Sequence, residues 1–196
     1  TPKYAFGKPL EAVHLTLTGV PVVLEAMRST LVSLNAHLEE GIFRVSPSVV
    51  DKATTRAIIE AGNWEKLRKG DHADAASLAQ LIKAWFAELP TCILEPILDH
   101  IADGACIDYE TGYKLLARLP KLNRVVMLWL MYFMKYISSY VKVNKMSVRA
   151  LAIVWAPSLA VPPPKLGLKD QLELNEKVVD FLTTLFGCKS IGTTRA

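Results

Sequence analysis

The stretch from Leu122 to Tyr140 is apolar on nearly every face of a helical wheel. A helix of that kind has no side to give to water, so it belongs at the centre of a bundle. Its longest unbroken apolar run, Val125–Met134, is too short to cross a bilayer. Protein rather than lipid must surround it, and the rest of the chain has to supply further helices.

The clearest of these runs from an Asp74 cap. Leu78, Leu81, Ile82, Trp85, Phe86 and Leu89 recur at helical spacing until Pro90 ends the pattern. Lys83 and Ala87 fall one turn apart on the side away from the stripe, which presents Lys83 to solvent or to a partner. Val20–Leu38 is apolar at the same spacing, after an extended or turn-like start over His14–Gly19. Ser46 and Pro47 offer a capping hydroxyl and a first-turn proline for a helix that runs to about Ala61 and stops at Gly62. Shorter helices are predicted near Glu95–Ile101 and Tyr109–Arg118. Another covers Met146–Trp155, opened by Asn144 or Ser147 and broken by Pro157. Val161-Pro162-Pro163-Pro164 forces an extended loop, and Asp170–Phe186 closes the fold with Gly187 past its end. No segment alternates convincingly, so strands are not expected.

The 196 residues suit one domain, and at 51% hydrophobic they can bury a large core. A net charge of +4 without any Lys/Arg block argues against nucleic-acid binding. The three cysteines, Cys92, Cys106 and Cys188, are odd in number and form no CxxC pair, which favours reduced thiols in an intracellular compartment. No transmembrane segment or signal peptide is read. Phosphate-loop, dinucleotide and serine-nucleophile motifs are all absent, so the chain shows no sign of holding its own nucleotide. The histidines are scattered; His37-Leu38-Glu39 opens a zinc-deaminase pattern that the chain never completes, and reads as a surface helix end. Trp85, Trp129, Phe133, Tyr136 and Trp155 read as packing, and Asn144 and Lys145 as residues that cap and flank a helix.

Against this background Arg44 stands out. It lies in a short break, Glu39-Glu40-Gly41-Ile42-Phe43-Arg44-Val45-Ser46, between two helical stretches. Ile42 and Phe43 can sink into a core and leave the next side chain pointing outward on a rigid mount. A guanidinium held this way can stabilise charge on a transferring phosphoryl group in another protein.

Three segments together resemble the Rho GTPase-activating-protein (RhoGAP) domain. Glu40-Gly41-Ile42-Phe43-Arg44-Val45-Ser46 is similar to the family's EGIFR(V/I)S loop. Leu81-Ile82-Lys83-Ala84-Trp85-Phe86-Ala87-Glu88-Leu89-Pro90 resembles its LLKxFLRELP helix, and Asn144 through Leu159 resembles its NKMxxxNLAIVFGPNL. Phe6-Gly7-Lys8-Pro9-Leu10 is similar to its opening FGxPL, so the likeness extends over about residues 6–186 of a single domain spanning 1–196. The resemblance implies an all-α, single-domain irregular helical bundle of about eight or nine helices. It implies a signal-transduction role: stimulating GTP hydrolysis by a Rho-family small GTPase, with Arg44 as an arginine finger.

By the same resemblance Lys83 helps hold the finger loop and faces the GTPase, and Ser158 stands where many members place an asparagine that hydrogen-bonds near the switch region. Ala87 departs from the pattern, which carries an arginine there to brace the loop. Misplacing a catalytic group by about 1 Å can cost as much as a hundredfold. Pro47, at a position often Gly or Ala, is a candidate to stiffen the loop exit. The alternative expectation is a GTPase-binding or scaffold module, with catalysis blunted by Ala87 and Ser158. On either expectation the resemblance implies an activator or binder rather than an enzyme. The resemblance also implies that the chain has no cofactor or metal of its own, with GTP and Mg²⁺ held by the partner. It is expected to be monomeric and cytoplasmic, with any membrane recruitment left to other parts of a parent protein.

Overall fold

The structure, a computed structural model, describes residues 6–68, 74–104, 108–163 and 165–187. Pro164, His72, Cys106 and Cys188 lie outside the described residues. The described residues form ten α-helices and three short 3-10 turns, slightly more elements than expected because several helices are only one or two turns long. They contain no strand; one isolated bridge joins Leu15 to Pro21.

Most element ends follow from local chemistry. Helix α1 (Val22–Ser33) stops well short of Leu38, because Asn35 adopts φ +56 and turns the chain into a 3-10 turn at Ala36–Leu38. Asparagine tolerates this left-handed geometry where most residues do not. Helix α2 (Val49–Glu60) opens on Ser48, whose hydroxyl accepts from the Asp51 amide, and not on Ser46-Pro47. It ends at Gly62 with φ +68, as expected. A short α3 (Trp64–Arg68) follows, and α4 (Ala75–Ala87) starts from the Asp74 cap, which accepts from the Ser77 amide. Next come α5 (Leu98–Ala102), α6 (Tyr109–Leu116, capped by Asp108), α7 (Lys121–Ser138) and α8 (Val141–Asn144). Helix α9 (Val148–Leu159) is capped by Ser147 and runs through Pro157 rather than breaking there. In the last turn the proline leaves only the Ile153 carbonyl without its helical donor, and Ile153 is 53% exposed, so water can serve it. Helix α10 (Leu168–Phe186) ends before Gly187.

The centre of the bundle is α4 rather than α7. Helix α4 packs on α1, α2 and α9, and Leu78, Ala79, Leu81, Ile82 and Phe86 are fully buried. Helix α10 lies along α9 and also touches α5, α6 and α7. Helix α7 buries one side through Val126, Met127, Leu130 and Met134, but Val125, Leu128 and Trp129 are only half-buried and Tyr132 is 67% exposed. That flank forms a shallow groove with Glu25 and Arg28 of α1. Its apolar sequence is not matched by full burial on this flank, where the Trp129 indole donates to Glu25 of α1 at 3.0 Å.

Candidate functional site

The segment between α1 and α2 is anchored from both sides. Gly41 takes φ +75, its N–H donates to the Asn144 carbonyl at 2.8 Å, and its own carbonyl accepts from the amides of Arg44 (2.8 Å) and Val45 (3.0 Å). Ile42 and Phe43 are buried, as the sequence predicts for an apolar pair mounting an outward arginine. The Phe43 ring meets Trp155 at 5.3 Å and Phe133 at 5.9 Å between centroids. Phe43 itself adopts φ +69, an unusual conformation for a bulky side chain.

The next residue, Arg44, is exposed, and among the described residues no ion pair or side-chain hydrogen bond engages its guanidinium. The head group lies over Gly41: a Cβ at that position would sit 3.4 Å from Nη2 and 3.5 Å from Nε. A side chain at Gly41 would therefore push both on the backbone and on the guanidinium.

Helix α4 presents two donors to this loop. Lys83 Nζ donates to the Phe43 carbonyl at 3.1 Å. Lys83 is half-buried and turned onto the loop, where its place on the helical wheel alone leaves it facing solvent or a partner. Burial pushes its pKa down, and the nearby Lys52 ammonium of α2 lowers it further. The second donor is Gln80, whose side-chain amide reaches the carbonyls of Phe43 and Val45, both at 3.0 Å. Ala87 is exposed and offers the loop no donor. Helices α2 and α4 are clamped by Arg56, which makes a two-pronged contact with Glu88 at 2.6 and 2.7 Å and a third with Glu60 at 3.0 Å. The Phe6 ring lies 4.3 Å beneath this guanidinium.

Behind the loop, Asn144 is a buried junction and not merely a helix-flanking residue. Its amide donates to the carbonyls of His37 (2.9 Å) and Ile137 (2.8 Å) and accepts from the Met146 amide at 2.8 Å. His37 is buried against Tyr136 and Tyr140 and is no surface helix end. Ser158 sits at the C-terminal end of α9, only 7% exposed, and no side-chain hydrogen bond ties it to the loop of Arg44. The structure thus joins Lys83 to that loop directly and leaves Ala87 and Ser158 unconnected to it. The sequence reading missed Gln80; its only signal is a polar side chain one turn before Lys83. Trp85, Phe133 and Trp155 are buried, as packing residues should be, whereas Trp129 and Tyr136 are half-buried.

Among the described residues no cluster of His, Cys, Asp or Glu is placed to hold a metal ion, and no helix is long and apolar enough to cross a membrane. Cys92 is a free thiol.

The site is thus an all-helical frame that holds an exposed, unpaired arginine on a loop braced from α4 by Lys83 and Gln80. A sequence profile of the RhoGAP domain matches residues 21–164, and the chain belongs to that family. It is 32% identical over 162 residues to Rho GTPase-activating protein 5 of Arabidopsis thaliana, covering 79% of this chain and 46% of that protein. It is 31% identical over 173 residues to Rho GTPase-activating protein gacA of Dictyostelium discoideum, covering 87% of this chain and 48% of the relative. The chain thus spans less than half the length of these relatives. The crystal structure of human Rho GTPase activating protein 15 shares the fold, with a TM-score of 0.71 at 22% identity over 95% of this chain and 93% of that one.

Proposed function

We propose that this chain stimulates GTP hydrolysis by a Rho-family small GTPase, with Arg44 entering the partner's nucleotide site. The observation that carries the reading is the exposed, unpaired guanidinium mounted on the buried Ile42–Phe43 pair. Family membership supports the partner class, since the relatives are Rho GTPase-activating proteins. The partner would hold GTP and Mg²⁺ and position the attacking water. Arg44 would offset the charge that develops on the transferring phosphoryl group, and no covalent step would involve this chain. Lys83 would act mainly through the loop, and Ser158 as a contact at the edge of the interface.

The test is single-turnover GTP hydrolysis by a panel of Rho-family GTPases, with wild type and Arg44→Ala compared at saturating concentration. The expected result is stimulation that falls on the order of a thousandfold on substitution. Binding to the GTP-loaded partner without stimulation would favour a scaffold module, the reading to which the missing donor at Ala87 lends weight.

A further inference from the structure

Arg44 is preceded and followed by carbonyls that one side chain holds. The Gln80 amide nitrogen lies 3.0 Å from the Phe43 oxygen and 3.0 Å from the Val45 oxygen. Both acceptors are carbonyls, so the donor end of the amide must face them, and its two N–H groups match two acceptors. Lys83 adds a second donor to Phe43 at 3.1 Å. The residue so held is the one at φ +69, whose backbone would relax if its partners were removed. Position 80 also lies on the same face of α4 as positions 83 and 87, separated from them by three and seven residues. With alanine at 87, the donors on this face come from 80 and 83.

We infer that Gln80 is a positioning residue: by bridging the carbonyls on either side of Arg44 it sets the direction in which the guanidinium leaves the loop. The inference rests on the role proposed above for Arg44. Gln80 itself touches neither nucleotide nor partner. It acts on the rate of the chemical step by narrowing the arc through which the arginine swings.

Gln80→Glu keeps the length and shape of the side chain and replaces the donor with an oxygen that repels both carbonyls. The measurement is single-turnover hydrolysis by the GTP-loaded Rho-family GTPase that responds best to the wild-type chain, together with the Kd for that complex. The variant should lower the saturating rate by roughly ten- to a hundredfold while the Kd changes by less than about threefold. In an Arg44→Ala background it should lower the residual rate no further. If Gln80→Glu does not fold, judged by its denaturation midpoint, Gln80→Leu removes the donors without adding charge and should give the same split.

Three results would overturn the inference. One is a wild-type rate for both Gln80 variants while Arg44→Ala is inactive, which leaves the role of Arg44 intact. Another is a loss that appears in Kd alone or equally in both backgrounds, which makes Gln80 a contact or a structural residue. The third is full stimulation by Arg44→Ala, which removes the finger reading and this inference with it.

Discussion

Phe43 is a large aromatic residue in a backbone conformation that large residues avoid. Such a geometry costs roughly 1–3 kcal/mol and persists only where its surroundings over-determine it. Here the ring is 1% exposed and wedged against Trp155 and Phe133, and the carbonyl takes two donors from α4. The neighbouring Gly41 meets the same demand by having no Cβ. Gly41→Ala should cost about 1–2 kcal/mol of stability, because φ +75 is unfavourable for alanine and the new methyl would lie 3.0 Å from Val45 Cγ2. Urea denaturation of the variant checks this; a cost under about 0.3 kcal/mol would mean that the loop adjusts freely. At this scale the site was partly legible. Arg44 and Lys83 could be found because each belongs to a contiguous pattern of residue types. Gln80 could not, because its partners are backbone carbonyls 35 and 37 residues away, and carbonyls leave no mark in a sequence. His37 was misjudged for a related reason: its burial depends on Tyr136 and Tyr140, about a hundred positions later, and not on its neighbours.

Helices were legible where apolar spacing and caps agreed, and their ends where a single residue type decides the geometry. Asp74 and Ser147 act as the caps that the sequence offers, each accepting from an amide three residues on. The start of α2 is different, since Ser46 and Ser48 are both plausible caps and only tertiary contacts separate them. With the Val45 carbonyl held by Gln80, the chain stays non-helical through Pro47, and Ser48 becomes the cap. Ser48→Ala should therefore destabilise the protein by about 0.5–1 kcal/mol, toward the low end because the capping bond is long, whereas Ser46→Ala should stay within about 0.5 kcal/mol of wild type. Thermal or urea unfolding of the two variants side by side decides the register; the reverse ranking would restore Ser46 as the cap. The apolar run of α7 misled about burial for a physical reason. Apolar composition reports what a helix can bury, and not which flank its neighbours reach. Trp129 and Tyr132 show the difference on the groove beside α1.

Across the whole molecule, the loop of Arg44 is fastened to distant parts of the chain. Gly41 hangs on Asn144, and Asn144 ties the ends of α7 and α8 to the 3-10 turn that precedes the loop. Helix α1, which leads into that turn, is joined to α7 by Glu25, and this link has a pH signature. Arg28 hydrogen-bonds the Glu25 carboxylate and holds its pKa below the ordinary range; burial opposes the shift, and the Trp129 indole adds to it. A carboxylate whose pKa is lower in the folded state binds fewer protons there than in the unfolded chain. The stability it contributes is therefore complete above the unfolded pKa and disappears as pH falls through the folded one. Glu25→Gln keeps an acceptor for the indole but removes the charge. The pair is more than a third exposed on both sides at 35% and 37%, so solvent screening limits the loss to about 0.5 kcal/mol at neutral pH. Urea unfolding of wild type and variant should show that gap at pH 7 and its progressive narrowing as pH falls below about 4, where the unfolded glutamate takes up its proton, with closure only below the lower, folded pKa. A gap that persists unchanged at pH 3 would show that packing, and not the ionised carboxylate, is what Glu25 contributes to the join between α1 and α7.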